Sequence, residues 1–264
     1  MAYFPIPVQV PDFVAASQGF VSGKAAISYL ILGRRSLGWN STTVYGDVAN
    51  YLDTSQDLLN PVVLGTEYFL RSPSVNDDVA GTGARTVRVT YLNAAGAMVT
   101  ATVSMAGTTG VSLGTGVSYV QWIEVASLGS LPNAAGNITV STVVGAPTTA
   151  QTVEYLQAGQ SRSRSARFKV PTGHVAYLHT WDVNAIGNTQ DLVLRATVFA
   201  DRTLSAVFYA QDDTFLPGNS SQGGLELHWV SCPAGSEIKA SSIPGATAAG
   251  NRASVNFHIL LQAV

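Results

Sequence analysis

A glycine–serine motif in the first half of the chain has the spacing of a catalytic element. Residues 110–114 read Gly-Val-Ser-Leu-Gly, and the pattern G-x-S-x-G is typical of a serine nucleophile on a sharp turn between a strand and a helix. Here the motif continues into Thr115-Gly116 and then into a strand-like segment, so the required helix is missing. We therefore interpret the motif as two glycine-rich turns and expect no hydrolase.

Two other glycine-containing segments have the outline of phosphate-binding loops. Residues 19–25, Gly-Phe-Val-Ser-Gly-Lys-Ala, are one residue too short between the glycines, and Ala25 stands where a serine or threonine would bind the metal. Gly81-Thr82-Gly83 lacks the third glycine and the following helix of a dinucleotide fingerprint. We therefore expect no nucleotide site and no cofactor.

The histidines and the paired acids do not predict a metal site. His174 and His179 are an odd number of residues apart, so on a regular strand they point to opposite faces. No pair among the four histidines has ligand spacing on one face; they are His174, His179, His228 and His258. Asp77-Asp78 and Asp212-Asp213 lie in predicted loops and could bind calcium at a subunit contact, but neither pair has the spaced oxygen ligands of a dedicated site. Solvated turn residues are expected at both pairs.

The most uneven charge lies in the segment QSRSRSARFKV, which contains Arg162, Arg164, Arg167 and Lys169. Arg162 and Arg164 would share one face of a strand and form a basic strip suited to the carboxylates of a partner, or to phosphate. A solvated edge strand that charge protects from mispairing explains the same pattern. The sequence leaves both interpretations open.

The composition favours an assembly subunit over a nucleic-acid-binding or membrane protein. Only 11% of the residues are charged, 46% are hydrophobic and the net charge is −2. Few charges oppose self-association, and no positive field attracts a phosphate backbone. Prolines interrupt the N-terminus, and we expect no signal peptide, no membrane span and synthesis in the cytoplasm. The single cysteine, Cys232, excludes an intrachain disulfide and is expected to be a buried small hydrophobe.

Alternating hydrophobicity predicts strands over most of the chain after residue 61. Residues 86–91 and 99–105 alternate apolar and polar side chains on either side of the loop Asn93-Ala94-Ala95-Gly96, which predicts an antiparallel hairpin. The final apolar run should be tied into a sheet. Further strands are predicted at 117–126, 137–144, 164–170, 174–183, 191–200, 203–210, 225–230, 235–240 and 253–263.

The predicted fold is all-β, with two consecutive β-sandwich, jelly-roll-like regions preceded by an extended N-terminal arm. The arm and connecting segment cover residues 1–58, the first β domain 59–148 and the C-terminal sandwich 149–264. Within the arm, the segment AISYLIL is either a short buried strand or a helix, because periodicity does not separate the two.

Two segments resemble the structural proteins of tailed bacteriophages from marine and freshwater sources. Residues 74–107 are similar to a glycine-rich loop followed by a hairpin in the first half of those proteins, and residues 166–183 to a strand, proline–glycine turn and strand that open a C-terminal sandwich. The resemblance implies a virion component without enzymatic activity, commonly a capsid decoration or cement protein, often a homotrimer on the outer face of the head. Its partners would be the major capsid protein and its own copies, with no nucleic acid, membrane or small-molecule substrate.

In that role, the proline-rich arm would reach over adjacent capsid subunits while arginines make polar contacts. The expected capsid or partner contacts are Pro5, Pro7, Pro11, Arg34, Arg35, Arg162 and Arg164.

Two other functions remain open on the sequence. A tail, baseplate or fibre component could recognise host glycans by stacking them on exposed aromatics such as Trp181, Tyr209 and Trp229, although aromatics in strands more often pack in the core. A carbohydrate-active enzyme or lectin on a β-sandwich would need, for the enzyme, paired carboxylates in a cleft. The chain has only five glutamates and no obvious pair on adjacent strands.

Overall fold

The protein is built from β-strands. The computed structural model describes residues 6–9, 25–36, 46–47, 64–148, 151–186, 192–199, 208–216, 221–244 and 252–264, with side chains described over 64–148, 151–178, 231–240 and 255–264. These residues contain seventeen strands and no α-helix, which confirms the all-β prediction. The described part of the chain has no helix long and apolar enough to cross a membrane.

The strands are numbered along the chain. They are β1 (Ile6–Gln9), β2 (Ala25–Ser36), β3 (Gly46–Asp47), β4 (Phe69–Arg71), β5 (Ala84–Asn93), β6 (Met98–Ser104), β7 (Val111–Ser112), β8 (Val117–Leu128), β9 (Ile138–Ser141), β10 (Thr152–Leu156), β11 (Arg167–Lys169), β12 (His174–Ile186), β13 (Leu192–Phe199), β14 (Phe208–Leu216), β15 (Ser221–Cys232), β16 (Glu237–Pro244) and β17 (Arg252–Ala263). Every strand predicted from residue 117 onward overlaps one of these.

The chain divides into two compact units. One consists of Met1–Val48 together with Ala166–Val264, and the other is the intervening segment Ala49–Ser165. We call them the jelly-roll unit and the inserted unit. The sequence predicted domains at 1–58, 59–148 and 149–264, and these ranges stay predictions. The boundaries between the two compact units lie at residues 48/49 and 165/166.

The jelly-roll unit contains two antiparallel sheets, ordered β1-β2-β17-β12-β15 and β11-β16-β13-β14, with β3 paired to β16. Leaving out β1, which is added at the edge beyond β2, and β3, which lies off the main path of its sheet, eight strands remain. Numbered one to eight along the chain, they have the order 1-8-3-6 in the first sheet and 2-7-4-5 in the second. This is the order of an eight-stranded jelly roll, in which two four-stranded sheets form a sandwich.

The last strand shows why the sequence folds this way. Four apolar residues of β17 are buried: Val255, Phe257, Ile259 and Leu261. The residues between them, Asn256, His258 and Leu260, are partly exposed. β17 lies between β2 and β12, so the prediction that the C-terminal run is tied into a sheet is confirmed. The segment AISYLIL belongs to β2, so the open choice between strand and helix is settled as strand. The described parts of the predicted arm are thus extended strands paired within the jelly-roll unit.

The inserted unit is a second sandwich, made of the sheets β10-β9-β4-β7 and β6-β5-β8. Side chains from both sheets share one core: Tyr68, Leu70, Ala84, Val87, Val89, Met105, Val117, Val120, Ile123, Ala134, Ile138, Val140, Val153 and Leu156. The predicted hairpin is confirmed as β5–β6. Its turn is closed by the Asn93 carbonyl, which accepts the Gly96 amide at 2.9 Å, and Gly96 has a φ of 74°, which favours glycine.

Three strands of the inserted unit were not predicted: the short β4 and β7, and the five-residue β10. All five residues of β10 are buried, including the polar Thr152 and Glu154, so its alternating polar residues do not mark a solvent-exposed face. The sequence instead suggested a domain boundary just before it, at the stretch GAPTT.

Candidate partner-binding surface

The outer face of the sheet β6-β5-β8 is lined by hydroxyl side chains. Alternation along β5 directs Val87 and Val89 into the core and turns Arg88 and Thr90 to the opposite side. The neighbouring strands place their own polar residues beside them. We call this surface the threonine face; it consists of Thr86, Arg88, Thr90, Thr100, Thr102, Ser104, Trp122 and Glu124.

Cross-strand pairs fix the polar groups of the threonine face. Arg88 and Glu124 are directly opposite, and Nη1 of Arg88 lies 3.1 Å from Oε1 of Glu124. The hydroxyls of Thr90 and Thr100 are 3.1 Å apart. Such pairs stabilise a sheet locally, and the ion pair neutralises the charges of this face internally. The face therefore presents the small neutral side chains of Thr86, Thr100, Thr102 and Ser104, whereas Thr90 is buried.

Arg162 lies beside the threonine face because its segment pairs with β8. Ser161 accepts the Val125 amide at 2.8 Å, Ser163 donates to the Ile123 carbonyl at 2.8 Å, and Arg162 forms an isolated bridge opposite Glu124. The Arg162 guanidinium carbon is 4.5 Å from the centroid of the Trp122 ring, a cation–π contact. This contact places the partly exposed guanidinium over the Trp122 ring.

The basic run does not continue as one strip. Arg162 and Arg164 are partly exposed and belong to the inserted unit, whereas Arg167 belongs to the jelly-roll unit and is 1% exposed. Arg167 is buried with Phe168 on β11, where that strand pairs with β16. The strip predicted from Arg162 and Arg164 did not include Arg167, and the partner contacts of those two arginines stay predictions.

Asp77 was predicted to be a solvated turn residue, and this is wrong. It is fully buried, and its carboxylate accepts four hydrogen bonds. Oδ1 binds the amides of Ala84 at 2.7 Å and Ala135 at 2.9 Å. Oδ2 binds the Gly136 amide at 2.8 Å and the Ser72 hydroxyl at 2.6 Å. Asp77 thus joins the loop before β5 to the loop before β9, and it has a structural role instead of a calcium-binding one.

Glycines make room for this carboxylate. A Cβ on Gly83 would lie 2.2 Å from Oδ1 of Asp77, and a Cβ on Gly136 would lie 2.6 Å from the Ser72 hydroxyl oxygen. The glycine-rich spacing after Asp77 is the sequence signal that could have indicated a close approach. Its neighbour Asp78 is partly exposed, and its carboxylate accepts the Ala80 amide at 3.0 Å within the loop.

The other acidic pair also differs from its prediction. Asp212 and Asp213 lie within strand β14 rather than in a loop, opposite Ala196 and Arg195 of β13. Their side chains are outside the described residues. Among the residues whose side chains are described, no group of three or more His, Cys, Asp or Glu could hold a metal ion.

The remaining sequence motifs fall in structural positions. Ser112 of the G-x-S-x-G motif lies in the two-residue strand β7, donates its hydroxyl to Glu67 and accepts the Gly114 amide at 3.0 Å. A strand, β8, follows the motif, as expected. Cys232 is buried, as predicted, and burial raises the pKa of its thiol to about 12. Nδ1 of His174 lies 3.0 Å from the Thr172 carbonyl.

Several candidate residues lie partly or wholly outside the described residues. Pro7 is on β1, at the edge of its sheet, opposite Ile27, while Pro5 and Pro11 are outside the described residues. Arg34 and Arg35 are on β2, opposite Ser254 and Ala253. The other candidates lie in strands whose side chains are not described at those positions: His179, Trp181, Tyr209, His228 and Trp229. Their predicted contacts stay predictions.

A shallow depression is also present in the inserted unit. It has a volume of about 230 Å³ and is lined by Arg71, Pro73, Asn137, Thr139, Ala146, Pro147, Thr152 and Tyr155. Nε of Arg71 donates to the Thr108 carbonyl at 2.8 Å, which orients the guanidinium. Burial raises the pKa of Tyr155, so its hydroxyl stays protonated at neutral pH. An aromatic ring beside amide, hydroxyl and guanidinium groups suits a small polar ligand or one side chain of a partner.

Comparison with known proteins gives no family. No protein-family model matches the chain, and no curated protein matches it in sequence. A structure of infectious bursal disease virus, Gx strain, has 9% sequence identity and a TM-score of 0.23 over 90% of this chain and 72% of that chain. The VP2 subviral particle of the same virus has 10% identity and a TM-score of 0.20 over 90% and 76%. At these TM-scores the likeness assigns neither fold nor function, so the jelly-roll assignment rests on the strand order of this chain.

Proposed function

We propose that this protein is a non-enzymatic structural component of a virus particle, and more specifically a decoration or cement protein of a tailed-bacteriophage head. The observation that carries the proposal is the jelly-roll strand order, 1-8-3-6 in one sheet and 2-7-4-5 in the other. Eight-stranded jelly rolls are common in viral capsid domains and in lectins. The segments that resemble phage structural proteins, 74–107 and 166–183, lie one in each unit and support the same conclusion.

The chemistry of the threonine face supports a protein partner. Short hydroxyl side chains lose little rotamer entropy on burial, and desolvating them costs less than desolvating unpaired charges. The Arg88–Glu124 pair already neutralises the charges on the face. Depletion of net charge is typical of the buried centre of protein interfaces. We therefore assign the threonine face as the surface that contacts the major capsid protein.

Arginines would add the polar contacts. Arg162 is held on Trp122, and arginine and tryptophan are the residue types most often responsible for binding energy at interfaces. Arg162 and Arg164 are proposed to bind carboxylates of the capsid lattice. The contact is proposed to extend to neighbouring capsid subunits through Arg34, Arg35 and the N-terminal prolines. We further propose that the protein binds the capsid as a homotrimer.

The test is binding of the full-length protein to phage heads that lack it. Wild-type protein should co-sediment with the heads and raise the temperature at which they release DNA. Replacing both Arg162 and Arg164 with alanine should weaken binding about tenfold or more, because each hot-spot contact contributes about 1–2 kcal/mol.

The control variant for this experiment is Arg85→Ala. It removes an exposed arginine at the start of β5 whose Nε donates to the Gly81 carbonyl of the preceding loop, so it should bind like the wild type. Heads that neither bind the wild-type protein nor gain heat resistance from it would contradict the cement role.

A second function, recognition of host glycans by a tail or fibre component, is favoured by the depression around Arg71 and Tyr155. Its mixture of an aromatic ring with amide, hydroxyl and guanidinium groups is suited to one sugar ring. Calorimetric titration with monosaccharides, with Arg71→Ala as the variant that should lose binding, tests this function. Immunogold labelling of virions separates the two functions, because head label supports the first and tail label the second.

A further inference from the structure

Strand β6 is an edge strand of its sheet, and within the described part of the chain its outer edge pairs with no other strand. In the order β6-β5-β8, β6 pairs with β5 alone. The Asn93 amide donates to the Ala97 carbonyl and the Met105 amide to the Arg85 carbonyl, both at 2.9 Å. By the alternation of an antiparallel ladder, residues 99, 101 and 103 therefore direct their main-chain groups to β5. The main-chain groups of residues 98, 100, 102 and 104 point outward.

This edge lacks the usual protection against pairing. Edge strands of monomeric proteins are commonly protected by charged side chains, proline or a bulge. The seven residues Met98–Ser104 contain no charge and no proline, and their pairing with β5 has no register shift. In addition, Val99, Ala101 and Val103 are only partly buried. A further strand along this edge would cover the apolar row and satisfy the outward main-chain groups.

The sequence of β6 is complementary to itself. Residues 99–103 read Val-Thr-Ala-Thr-Val, which is the same in both directions. Two antiparallel copies centred on Ala101 would place Thr100 opposite Thr102 of the partner subunit, and Val99 opposite Val103 of the partner subunit. Thr100 and Thr102 are residues whose main-chain groups point outward, so this register also aligns donors with acceptors. Threonine and valine pairs are favourable neighbours across strands.

We infer that the β6 edge is a homotypic contact, in which two copies of the protein join their sheets across a two-fold axis at Ala101. The joined sheet has six strands, and about eight main-chain hydrogen bonds form across the axis. This contact does not depend on the proposed capsid role. Because a single strand edge buries less than the roughly 1,200 Å² of a stable interface, the contact is weak in dilute solution. It strengthens when copies are concentrated on a surface or linked by other contacts.

Cysteine cross-linking tests the register directly. Ala101 would face Ala101 of the partner subunit in a non-hydrogen-bonded pair, with Cα atoms about 4.5 Å apart, within the range of a disulfide. Full-length Ala101→Cys should therefore form a covalent dimer under mild oxidation. The matched control is Val103→Cys, on the same side of β6. Its two sulfurs would be displaced by about 14 Å along the strands and should not cross-link. Native Cys232 is buried and does not interfere.

A charge-exchange experiment provides the second measurement. The double variants T100K/T102K and T100E/T102E each place like charges opposite each other and should weaken self-association about tenfold or more in sedimentation equilibrium. An equimolar mixture of the two should restore dimers, and thermal unfolding checks that both variants fold. Equal cross-linking of the two cysteine variants, absence of a covalent Ala101→Cys dimer, or failure of the mixture to associate would each overturn the inference.

Discussion

The buried carboxylate of Asp77 provides the sharpest test of how the inserted unit is held together. Consider Asp77→Asn, which keeps the shape of the side chain and replaces one acceptor oxygen with an NH₂ donor. If the NH₂ replaced Oδ1, it would face the amides of Ala84 and Ala135, which are both donors. If it replaced Oδ2, it would face the Gly136 amide and the Ser72 hydroxyl. Because a hydroxyl can accept as well as donate, the second orientation is preferred.

The magnitude follows from the bonds that change. In the preferred orientation, one buried amide, that of Gly136, faces another donor, which costs about 1–3 kcal/mol. The bonds that remain lose the contribution of a charged acceptor, so the total is about 2–4 kcal/mol. For a chain of this size, that loss lowers the Tm by roughly 4–16 °C.

The assay is thermal and urea unfolding of the full-length protein, followed by tryptophan fluorescence, since Trp122 lies in the inserted unit. The matched control is Asp78→Asn. Asp78 is the adjacent, partly exposed carboxylate with one hydrogen bond inside its own loop, and its change should cost less than about 1 kcal/mol. Equal stability of Asp77→Asn and the wild type would refute the assignment of Asp77 as the link between the two loops.

Three further predictions concern other positions. Gly83→Ala should destabilise the inserted unit by about 1–3 kcal/mol through overpacking, because the new methyl would meet Oδ1 of Asp77; urea unfolding measures it, and an unchanged midpoint would count against the packing. Arg162→Ala should cost no more than about 1 kcal/mol of stability, as expected for a cation–π contact at a partly exposed site, so a larger loss in the same assay would mean that Arg162 is a core residue. Burial raises the pKa of the Cys232 thiol to about 12. The thiol should therefore be protonated and unreactive toward a thiol reagent at pH 7–8, and the thiolate fraction should increase only as the pH approaches 12. Rapid labelling of the folded protein would contradict this.

Alternating apolar and polar residues predicted the strands that bury only one face. In β5 and β17 the apolar residues recur at every second position, and the structure buries them, as with Val87 and Phe257. Strand β10 was missed although Thr152 and Glu154 alternate with apolar residues, because the run is short and follows the stretch GAPTT, which indicated a boundary; the structure buries both of its faces. Asp212 and Asp213 indicated a loop by residue type, although they lie in a strand paired with β13. Local sequence patterns therefore identify half-buried strands and miss those whose environment comes from distant segments.

Long-range pairing explains what the sequence did not reveal about the architecture. β2 and β17 are adjacent in their sheet, with Ile27 opposite Leu261, and the whole inserted unit lies between them in the chain. No periodicity within either segment specifies that partner. The bonds of Asp77 to Ala135 and Gly136 likewise span 58 and 59 residues, so the residue type of Asp77 predicted exposure and only the glycines that follow it indicated a close approach.

The proposed role of this chain, a jelly roll with an inserted sandwich, is that of a structural subunit of a virus particle. Cryo-electron microscopy of the intact particle, at a resolution that traces individual strands, tests it most directly. The account predicts density on the capsid surface that fits both sandwiches, with Arg162 and Arg164 of the inserted unit against the capsid lattice. Particles whose density contains no copy of this chain on the head would contradict the account.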